Sequence, residues 1–330
     1  MPVAQYMVPS LDTADKKALR DQFGETLAEL GAINPNLVVL DADLSCSTQT
    51  QHFAKAFPQR FFNQGIAEMD MVNTAAGLAT VGKIPVVSTF ALFASGKAWE
   101  AVRNTVCYSN LNVKIMPTHS GLSLGEDGAS HQSIEDIALM RVIPNMTVIV
   151  PADATETEAV VRWAIQEHDG PCYVRLVRPV CPVLFDPATY TFNPSQMAIL
   201  KEGTDITLVG TGETVYHCLL AAERLQKDHG ISAEVLNATF IKPFDGATLV
   251  ASATKTGKVI TVESHQVIGG LGGVVCETLC DPAFGATPVP VKRLGTQDRF
   301  GQSGTAEPLF KEYGIHWENI VATAIQWLKP

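Results

Sequence analysis

Several hallmarks of common protein classes are absent from this sequence of 330 residues. No stretch approaches the roughly 18 uninterrupted apolar residues of a membrane span. No apolar run follows a basic N-terminal start, as it does in a signal peptide. The formal net charge of -10 leaves no basic surplus to neutralise a nucleic-acid backbone. We therefore expect a cytoplasmic protein whose partners include neither a membrane nor a nucleic acid.

Metal-binding and nucleotide-binding patterns are also missing. The seven cysteines are scattered, odd in number and form no C-x-x-C pair, as is typical of reduced thiols in the cytosol. No P-loop motif occurs, and the glycine-rich turns at 209–213 and 269–273 lack the full pattern of a dinucleotide-binding loop. The sequence predicts tight turns at both places and no metal ligand from this chain.

The composition is that of a folded α/β protein. Hydrophobic residues make up 46% of the chain and charged residues 18%, so a sizeable core can be buried. Short β-branched runs alternate with helical patterns, which predicts largely parallel sheets flanked by helices. A segment with four prolines, 179–196, interrupts this alternation. We predict two domains, 1–190 and 204–330, with a linker at 191–203.

The alternation gives specific expectations for the elements. In the first domain the predicted strands lie at 37–41, 84–89, 113–117, 147–151 and 173–177, and the predicted helices at 15–31, 65–81, 96–109, 132–142 and 154–167. In the second domain strands are expected near 205–209, 233–238, 258–262 and 289–293, and helices near 214–228, 269–279 and 317–328.

A candidate catalytic carboxylate lies at the start of a predicted helix. Glu68 falls in the first turn among apolar neighbours, where a desolvated carboxylate can share a proton. A structural acid that stabilises the helix dipole explains the same position equally well.

Farther along the chain, Phe90 and Phe93 are three residues apart and share a face if that turn is helical. They fit core packing or contact with a flat ring bound between strand ends.

The densest polar signal is the segment THSGLSLGEDGASHQ at 118–132, directly after a predicted strand. Ligands of open α/β sheets bind at such strand ends. Two histidines, an acidic pair and three glycines share this loop, which indicates catalysis or polar substrate binding. His119 and His131 are too far apart for the helical spacing of paired metal ligands. Arg175 and Arg178 follow another strand and are either solvated or able to grip a phosphate.

Taken together, these blocks resemble the transketolase family. The motifs are DADLS from residue 41, NQGIAEMDMV, STFALF, HSGLSLGEDGASHQ and NMTVIVPADATE, and the likeness continues through FGQSGTAEPLFKEYG. Deoxyxylulose-phosphate synthases have similar blocks. The resemblance implies reversible transfer of a two-carbon ketol unit from a ketose phosphate to an aldose phosphate, with the pentose phosphate pathway as the default setting.

The resemblance covers only the pyrimidine-binding and C-terminal domains of that family. The family's G-D-G…N motif, which holds magnesium at the cofactor's diphosphate, does not occur in this sequence. The chain therefore resembles the C-terminal subunit of a two-gene transketolase. The expected partner is an N-terminal subunit that binds Mg²⁺ and the diphosphate of thiamine diphosphate. The family pattern implies a homodimer of this chain within an α2β2 assembly.

The resemblance also implies roles for residues at the cofactor. Glu68 matches the glutamate that hydrogen-bonds the aminopyrimidine ring of thiamine diphosphate and so helps to activate it. Phe90 and Phe93 match aromatic residues packed on that ring. Asp43 and Leu44 match residues at the thiazolium end.

On the substrate side, the matching residues form two groups. The cluster expected to hold the sugar's phosphate is Arg20, Ser47, His119 and Arg178. Asp127 matches a carboxylate that reads a sugar hydroxyl, and His131 matches the histidine beside the reacting carbons. Together with Glu68, the two histidines are the predicted catalytic residues.

The chain departs from the family pattern in two places. Met69-Asp70 and Gly96 replace residues usual in relatives, which affects the fine shape of the cofactor pocket.

Three alternatives compete with the transketolase assignment. They are the β subunit of a decarboxylating 2-oxoacid dehydrogenase component, a synthase of the deoxyxylulose-phosphate type and a non-catalytic scaffold subunit. The GEDGASHQ block disfavours the dehydrogenase component, and the intact set of polar site residues disfavours a scaffold.

Overall fold

The computed structural model describes residues 6–285 and 288–329. The strands in these residues are β1 Lys16–Ala18, β2 Leu37–Asp41, β3 Phe61–Asn63, β4 Ile84–Ser88, β5 Lys114–Ile115, β6 Thr147–Ile149, β7 Cys172–Val174, β8 Val180–Pro182, β9 Ala198–Lys201, β10 Ile206–Gly210, β11 Ala233–Asn237, β12 Phe240–Lys242, β13 Val259–Gln266 and β14 Val291–Thr296. The α-helices are α1 Leu19–Ile33, α2 Ser45–Thr48, α3 Gln51–Ala56, α4 Glu68–Thr80, α5 Trp99–Ala101, α6 Asp136–Arg141, α7 Ala154–Gln166, α8 Thr214–His229, α9 Gly246–Thr256, α10 Leu271–Cys280, α11 Ala306–Glu312 and α12 Trp317–Leu328.

The first sheet has seven strands in the order β12-β6-β7-β5-β4-β2-β3. All neighbours are parallel except β12, which runs antiparallel to β6. Its strands are nearly continuous apolar runs; in β2, for example, every residue is buried. Burial on both faces by flanking helices explains that pattern.

The second sheet has five strands in the order β14-β13-β10-β11-β9. It is parallel except for β9, which pairs antiparallel with β11 at one edge. A small two-stranded sheet of β1 and β8 completes the pairing. The predicted α/β class, with largely parallel sheets flanked by helices, is confirmed.

The two sheets are tied together by strand β12. It follows the first strands of the second sheet in sequence, yet it hydrogen-bonds to β6 of the first sheet. In addition, β9 lies within the segment predicted to be the linker, 191–203. The predicted domain boundaries stay a prediction, and the structure adds that chain segments on either side of them share backbone pairing.

Helix α1 shows how the fold positions one of the predicted site residues. Leu19, Phe23, Leu27 and Leu30 are fully buried, and their spacing of three or four places them on one face of the helix. Packing of this face fixes the first turn, in which Arg20 is half-buried. Among the described helices, none is long and apolar enough to cross a membrane.

One predicted helix differs in its geometry. The segment predicted as a regular helix at 96–109 consists of the π-helical turns Phe93–Lys97 and Val102–Cys107 on either side of the short helix α5. π-Helical turns often occur at functional sites because the widened turn re-aims nearby side chains. Helices α9 and α11 were not predicted, although Asp245 caps α9 with the expected hydrogen bond to Thr248.

Candidate active site at the carboxyl edge of the first sheet

The candidate site is built from loops that leave neighbouring parallel strands. The strands β2, β4, β5 and β7 all point the same way, so their carboxyl ends meet at one edge of the sheet. The loops that follow them carry the predicted residues Asp43, Phe90, His119 and Arg178. Ligands of open α/β sheets bind at such an edge.

Glu68 is a buried carboxylate beside an exposed cation. It begins α4 and is 2% exposed, while Lys97 Nζ lies 2.7 Å from its Oε2 atom and the Lys97 side chain is 54% exposed. The angles at this ionic contact are not those of a hydrogen bond, and Oε2 has no hydrogen-bond partner among the described residues. Because buried polar atoms are normally paired, a ligand that donates to Oε2 would share this atom with the Lys97 ammonium or displace it.

Four rings form an aromatic cluster next to the histidine loop. Phe90 and Phe93 stack with ring centroids 5.9 Å apart and planes at 14°. His119 stacks on Phe90 at 4.0 Å, and His131 meets Phe93 edge-on at 5.7 Å. The cluster joins the two phenylalanines expected at a flat cofactor ring to the two histidines expected at the substrate.

His119 is held in an uncommon backbone conformation. Its φ angle is 64°, which a residue other than glycine adopts only when its surroundings enforce it. The side chain is 3% exposed, and its Nδ1 atom lies 2.7 Å from the Thr118 hydroxyl. Burial, followed by the positive charges of Arg20 and Arg178, lowers the pKa of His119 to about 3. The imidazole is therefore neutral at physiological pH.

Arg20 and Arg178 approach this histidine from different parts of the chain. Arg20 Nη1 donates to the Ser47 carbonyl oxygen at 3.1 Å. The buried Nε atom of Arg20 has no hydrogen-bond partner among the described residues. Arg178 Nη1 donates to the Leu124 carbonyl oxygen at 3.1 Å. Two guanidinium groups with spare donors beside a neutral imidazole suit an anion such as phosphate.

The acidic part of the loop faces one of these arginines. Asp127 Oδ2 lies 3.9 Å from Arg178 Nη1, and its side chain is 45% exposed, so the carboxylate is accessible. The Ser130 hydroxyl contacts His131 Nδ1 at 2.9 Å. The loop turns sharply at Gly128, whose φ angle is 75°. This turn brings Asp127 and His131 to the same side of the site as Arg178 and Phe93.

The loop after β2 is organised by a residue that sequence reasoning missed. Asp41 is fully buried and accepts hydrogen bonds from the Leu44 amide at 2.6 Å and from the Thr48 and Thr50 hydroxyls. Asp43 has a φ angle of 65° and lies at the exposed tip. Asp41 thus fixes the path that presents both Asp43 and Leu44.

Of the two arginines after β7, one does not belong to the site. Arg175 is buried and its Nε atom lies 2.7 Å from Asp136 Oδ2, which also accepts a hydrogen bond from the Tyr173 hydroxyl. Its other donors reach the carbonyl oxygens of Ser133 and Ser264. With its donors used internally, Arg175 ties the base of the histidine loop to β13 and is not placed to grip a phosphate.

Comparison with known proteins identifies the family. The model of the transketolase pyrimidine binding domain matches residues 15–182, and that of the transketolase C-terminal domain matches residues 195–320. The chain belongs to the transketolase family. Members of this family use thiamine diphosphate, so the predicted family and the general cofactor class agree with the match.

Relatives of similar length extend this assignment. The chain is 49% identical to a putative transketolase C-terminal section of Methanocaldococcus jannaschii, over 95% of this chain and 97% of that protein. It is 40% identical to a 6-deoxy-6-sulfo-D-fructose transketolase subunit of a Clostridium species, over 93% of each chain. A split gene transketolase solved as an inactive β4 tetramer superposes with a TM-score of 0.84 at 48% identity, covering 95% of this chain and 99% of that one. Over nearly its whole length, the chain is thus similar to C-terminal sections of split transketolases.

Proposed function

We propose that this chain supplies half of an active site that transfers a two-carbon ketol unit from a ketose phosphate to an aldose phosphate. The observation that carries the proposal is the position of His119, stacked on Phe90 and flanked by the guanidinium groups of Arg20 and Arg178. One side of this arrangement suits a flat aromatic cofactor and the other suits the anionic end of a sugar.

The residues at the proposed cofactor site fit the aminopyrimidine of thiamine diphosphate. The acceptor position on the buried Glu68 Oε2 atom suits a ring nitrogen that carries a proton. Phe90 and Phe93 provide an apolar wall for the ring, and Asp43 and Leu44 extend the site toward the thiazolium. Once bound, thiamine diphosphate supplies the carbanion chemistry, while the protein orients it and controls the proton at Glu68.

The substrate contacts follow from the charges around the histidine loop. Arg20, Arg178, Ser47 and the neutral His119 hold the anionic group, because charge-assisted hydrogen bonds from arginine are strong and directional. Asp127 accepts a hydrogen bond from a sugar hydroxyl. His131, whose Nδ1 atom contacts the Ser130 hydroxyl, lies nearest the reacting carbons and moves a proton there.

For the anionic group of the sugar, the relatives and the family resemblance suggest two choices. The Clostridium relative is a subunit for a sulfonated fructose, whereas sugar phosphates are the ordinary substrates implied by the family resemblance. Arginine binds phosphate well because its planar fork matches the oxygens. We propose a phosphate, as in the pentose phosphate pathway, and treat a sulfonate as the competing outcome of the assay.

The other half of the active site is proposed to come from an N-terminal subunit. That subunit holds Mg²⁺ and the cofactor's diphosphate, because a hard cation needs several oxygen ligands. An α2β2 assembly results when two copies of this chain pair and each recruits a partner. The solved relative, an inactive tetramer of β subunits, supports the view that C-terminal sections need the second subunit.

The test is a ketol-transfer assay of this chain reconstituted with the N-terminal subunit, thiamine diphosphate and Mg²⁺. We expect transfer from a ketose phosphate to an aldose phosphate. Parallel reactions receive a sulfonated ketose, or pyruvate with an aldehyde phosphate. Turnover of pyruvate alone would favour the synthase alternative, and turnover of the sulfonated sugar alone would refute the phosphate assignment.

A further inference from the structure

Away from the candidate active site, three ligand-type side chains converge on the second domain. His217 lies in the first turn of α8, Glu307 in the first turn of α11, and His316 immediately before α12. One potential ligand atom from each lies within 4.8 Å of the other two. His316 Nε2 is 3.1 Å from Glu307 Oε2, and His217 Nε2 is 4.0 Å from Glu307 Oε1.

The most unusual member of this cluster is His217. Its side chain is 3% exposed, and its Nδ1 atom has no hydrogen-bond partner among the described residues. Leaving a buried polar atom unpaired costs on the order of 1–3 kcal/mol. Burial also disfavours the imidazolium form, so one ring nitrogen of His217 carries a lone pair. A proton on Nδ1 would leave that lone pair on Nε2, the atom 4.0 Å from Glu307 Oε1.

His316 has a ligand atom on one side of its ring and a carboxylate on the other. Its Nε2 atom faces Glu307, while its Nδ1 atom accepts from the Glu318 amide at 3.3 Å and lies 3.7 Å from Glu318 Oε2. A cation at Nε2 requires the ring proton on Nδ1. That nitrogen then no longer accepts from the Glu318 amide, and the Glu318 carboxylate 3.7 Å away is the acceptor for its hydrogen bond. Metal-bound histidines usually have such a carboxylate or carbonyl behind them.

We propose that His217, Glu307 and His316 bind one divalent transition-metal ion of the Zn²⁺ type. Two imidazoles and a carboxylate form a donor set that suits Zn²⁺ and leaves a fourth position for water. Bonds of about 2.0–2.1 Å in a tetrahedron separate ligand atoms by about 3.3 Å. The pair of His316 and Glu307 already has this spacing. Glu307, which is 63% exposed, has the freedom to close the remaining gap to His217.

Such an ion would join one helix to two consecutive helices much later in the chain. It would link α8, α11 and the start of α12, and α11 follows directly on the segment that supports the histidine loop. In that segment the Gln302 carbonyl oxygen accepts a hydrogen bond from Gln132 Nε2 at 3.0 Å. The proposed ion therefore stabilises the second domain and, through α11, the base of the loop that carries Asp127 and His131.

The experiment measures Zn²⁺ binding to the full chain after removal of bound metal with a chelator. Zn²⁺ retained after gel filtration is counted by mass spectrometry, and the melting temperature is recorded with and without ZnCl2. CoCl2 serves as a second probe, because tetrahedral Co²⁺ has a characteristic visible absorption. We expect about one tightly held ion per chain and a rise in melting temperature of at least about 4 °C at 100 times Kd, from mass action.

Two variants remove a ligand with little disturbance of the fold. Glu307→Gln changes an exposed side chain, and His316→Asn retains a residue type that caps helices well. Glu312→Gln, on the same helix and 52% exposed, is the matched control. Loss of a metal contact should weaken binding about 10–100-fold or more in both ligand variants, whereas the control should bind like the wild type.

Thiol binding and simple ion pairing predict different results. Zn²⁺ held by the exposed Cys46 or Cys280 would be retained equally by all four proteins. An ordinary ion pair between His316 and Glu307 would give variants of lower melting temperature, but no response to ZnCl2 in any of them. Either result would overturn the proposal.

Discussion

Lys97 Nζ lies 2.7 Å from Glu68 Oε2, so an exposed lysine forms an ion pair with a buried carboxylate. The pair connects the first turn of α4 to the π-helical turn that carries Phe93. The direction of the Lys97 side chain depends on this π-helical turn. In an α-helix successive residues are rotated by about 100° about the helix axis, and in a π-helix by a smaller angle, so an α-helical turn at 93–97 would direct Lys97 differently. The relationship bears directly on the proposed role of Glu68.

Replacing the carboxylate tests that role. We expect Glu68→Gln to reduce ketol transfer of the reconstituted enzyme by about 10²-fold or more, because a group that shares a proton with the cofactor is lost. Steady-state assays and circular dichroism are the measurements. Glu223→Gln, the same change at an exposed carboxylate on α8, should remain close to wild type. Activity of Glu68→Gln within about threefold of wild type would show that Glu68 is structural.

Removing the lysine tests whether it competes with the cofactor. We expect Lys97→Met to tighten thiamine diphosphate binding by about fivefold, which corresponds to about 1 kcal/mol, because the ring nitrogen would no longer compete with the lysine for Oε2. Titration calorimetry of the assembly gives the affinity. Lys83→Met, which changes a surface lysine bonded to Asn36, is the control. Weaker binding in Lys97→Met would instead make the lysine part of the cofactor site.

The two arginines are expected to act on the anionic group of the substrate. Arg20→Ala or Arg178→Ala should raise KM for phosphorylated sugars by roughly 10–100-fold, equivalent to the loss of a charge-assisted bond of about 1.5–3 kcal/mol. KM for unphosphorylated analogues should change little. Arg224→Ala, an exposed change on α8, is the control. Equal effects on both substrate types would indicate that the arginines only hold the loops.

His119 should make the protein sensitive to acid. Its folded pKa is about 3, below the unfolded value near 6.5, so the unfolded chain binds more protons between these values. Stability from neutral His119 is therefore fully present above pH 6.5 and is lost as pH falls toward 3. We expect the free energy of unfolding of His119→Gln to fall less steeply with acid, by up to about 1.4 kcal/mol per pH unit. Denaturant melts at several pH values measure this slope, and an unchanged slope would contradict the assignment.

The divided active site predicts how the isolated chain behaves. Alone, it should show no ketol transfer and bind thiamine diphosphate weakly. The proposed contacts would hold only the ring, and the sequence lacks the G-D-G motif that would hold magnesium at the diphosphate. Adding the N-terminal subunit should restore activity, and a chelator should abolish it again. Light scattering reports the assembly. Full activity of the isolated chain with cofactor and Mg²⁺ would refute the division.

Much of the fold follows from local pattern. The strand predicted at 37–41 is β2 with the same bounds, and the predicted helix at 317–328 is α12. Buried parallel strands need apolar β-branched runs, and helices need capping residues, so both leave local signals. Local pattern also predicted a polar site in the loop at 118–132, because polar residues that follow apolar strands accumulate where carboxyl ends meet. The proposed roles of Arg20, Asp43, Leu44 and Ser47 came from the family resemblance and stay predictions.

Only the tertiary structure decided which of these residues meet. Local pattern did not separate Arg178 from Arg175. The family resemblance selected Arg178, and the structure adds the physical reason, because Arg175 is paired with the buried Asp136 carboxylate. Sequence alone did not pair Lys97 with Glu68, because that contact depends on a π-turn whose widened hydrogen bonding has no local sequence signal. The cluster of His217, Glu307 and His316 was likewise hidden, since His217 lies at least 90 residues before the other two and meets them only through the packing of three helices. Periodicity and turn chemistry act over a few residues, whereas charge pairing and ligand geometry depend on distances that folding alone creates.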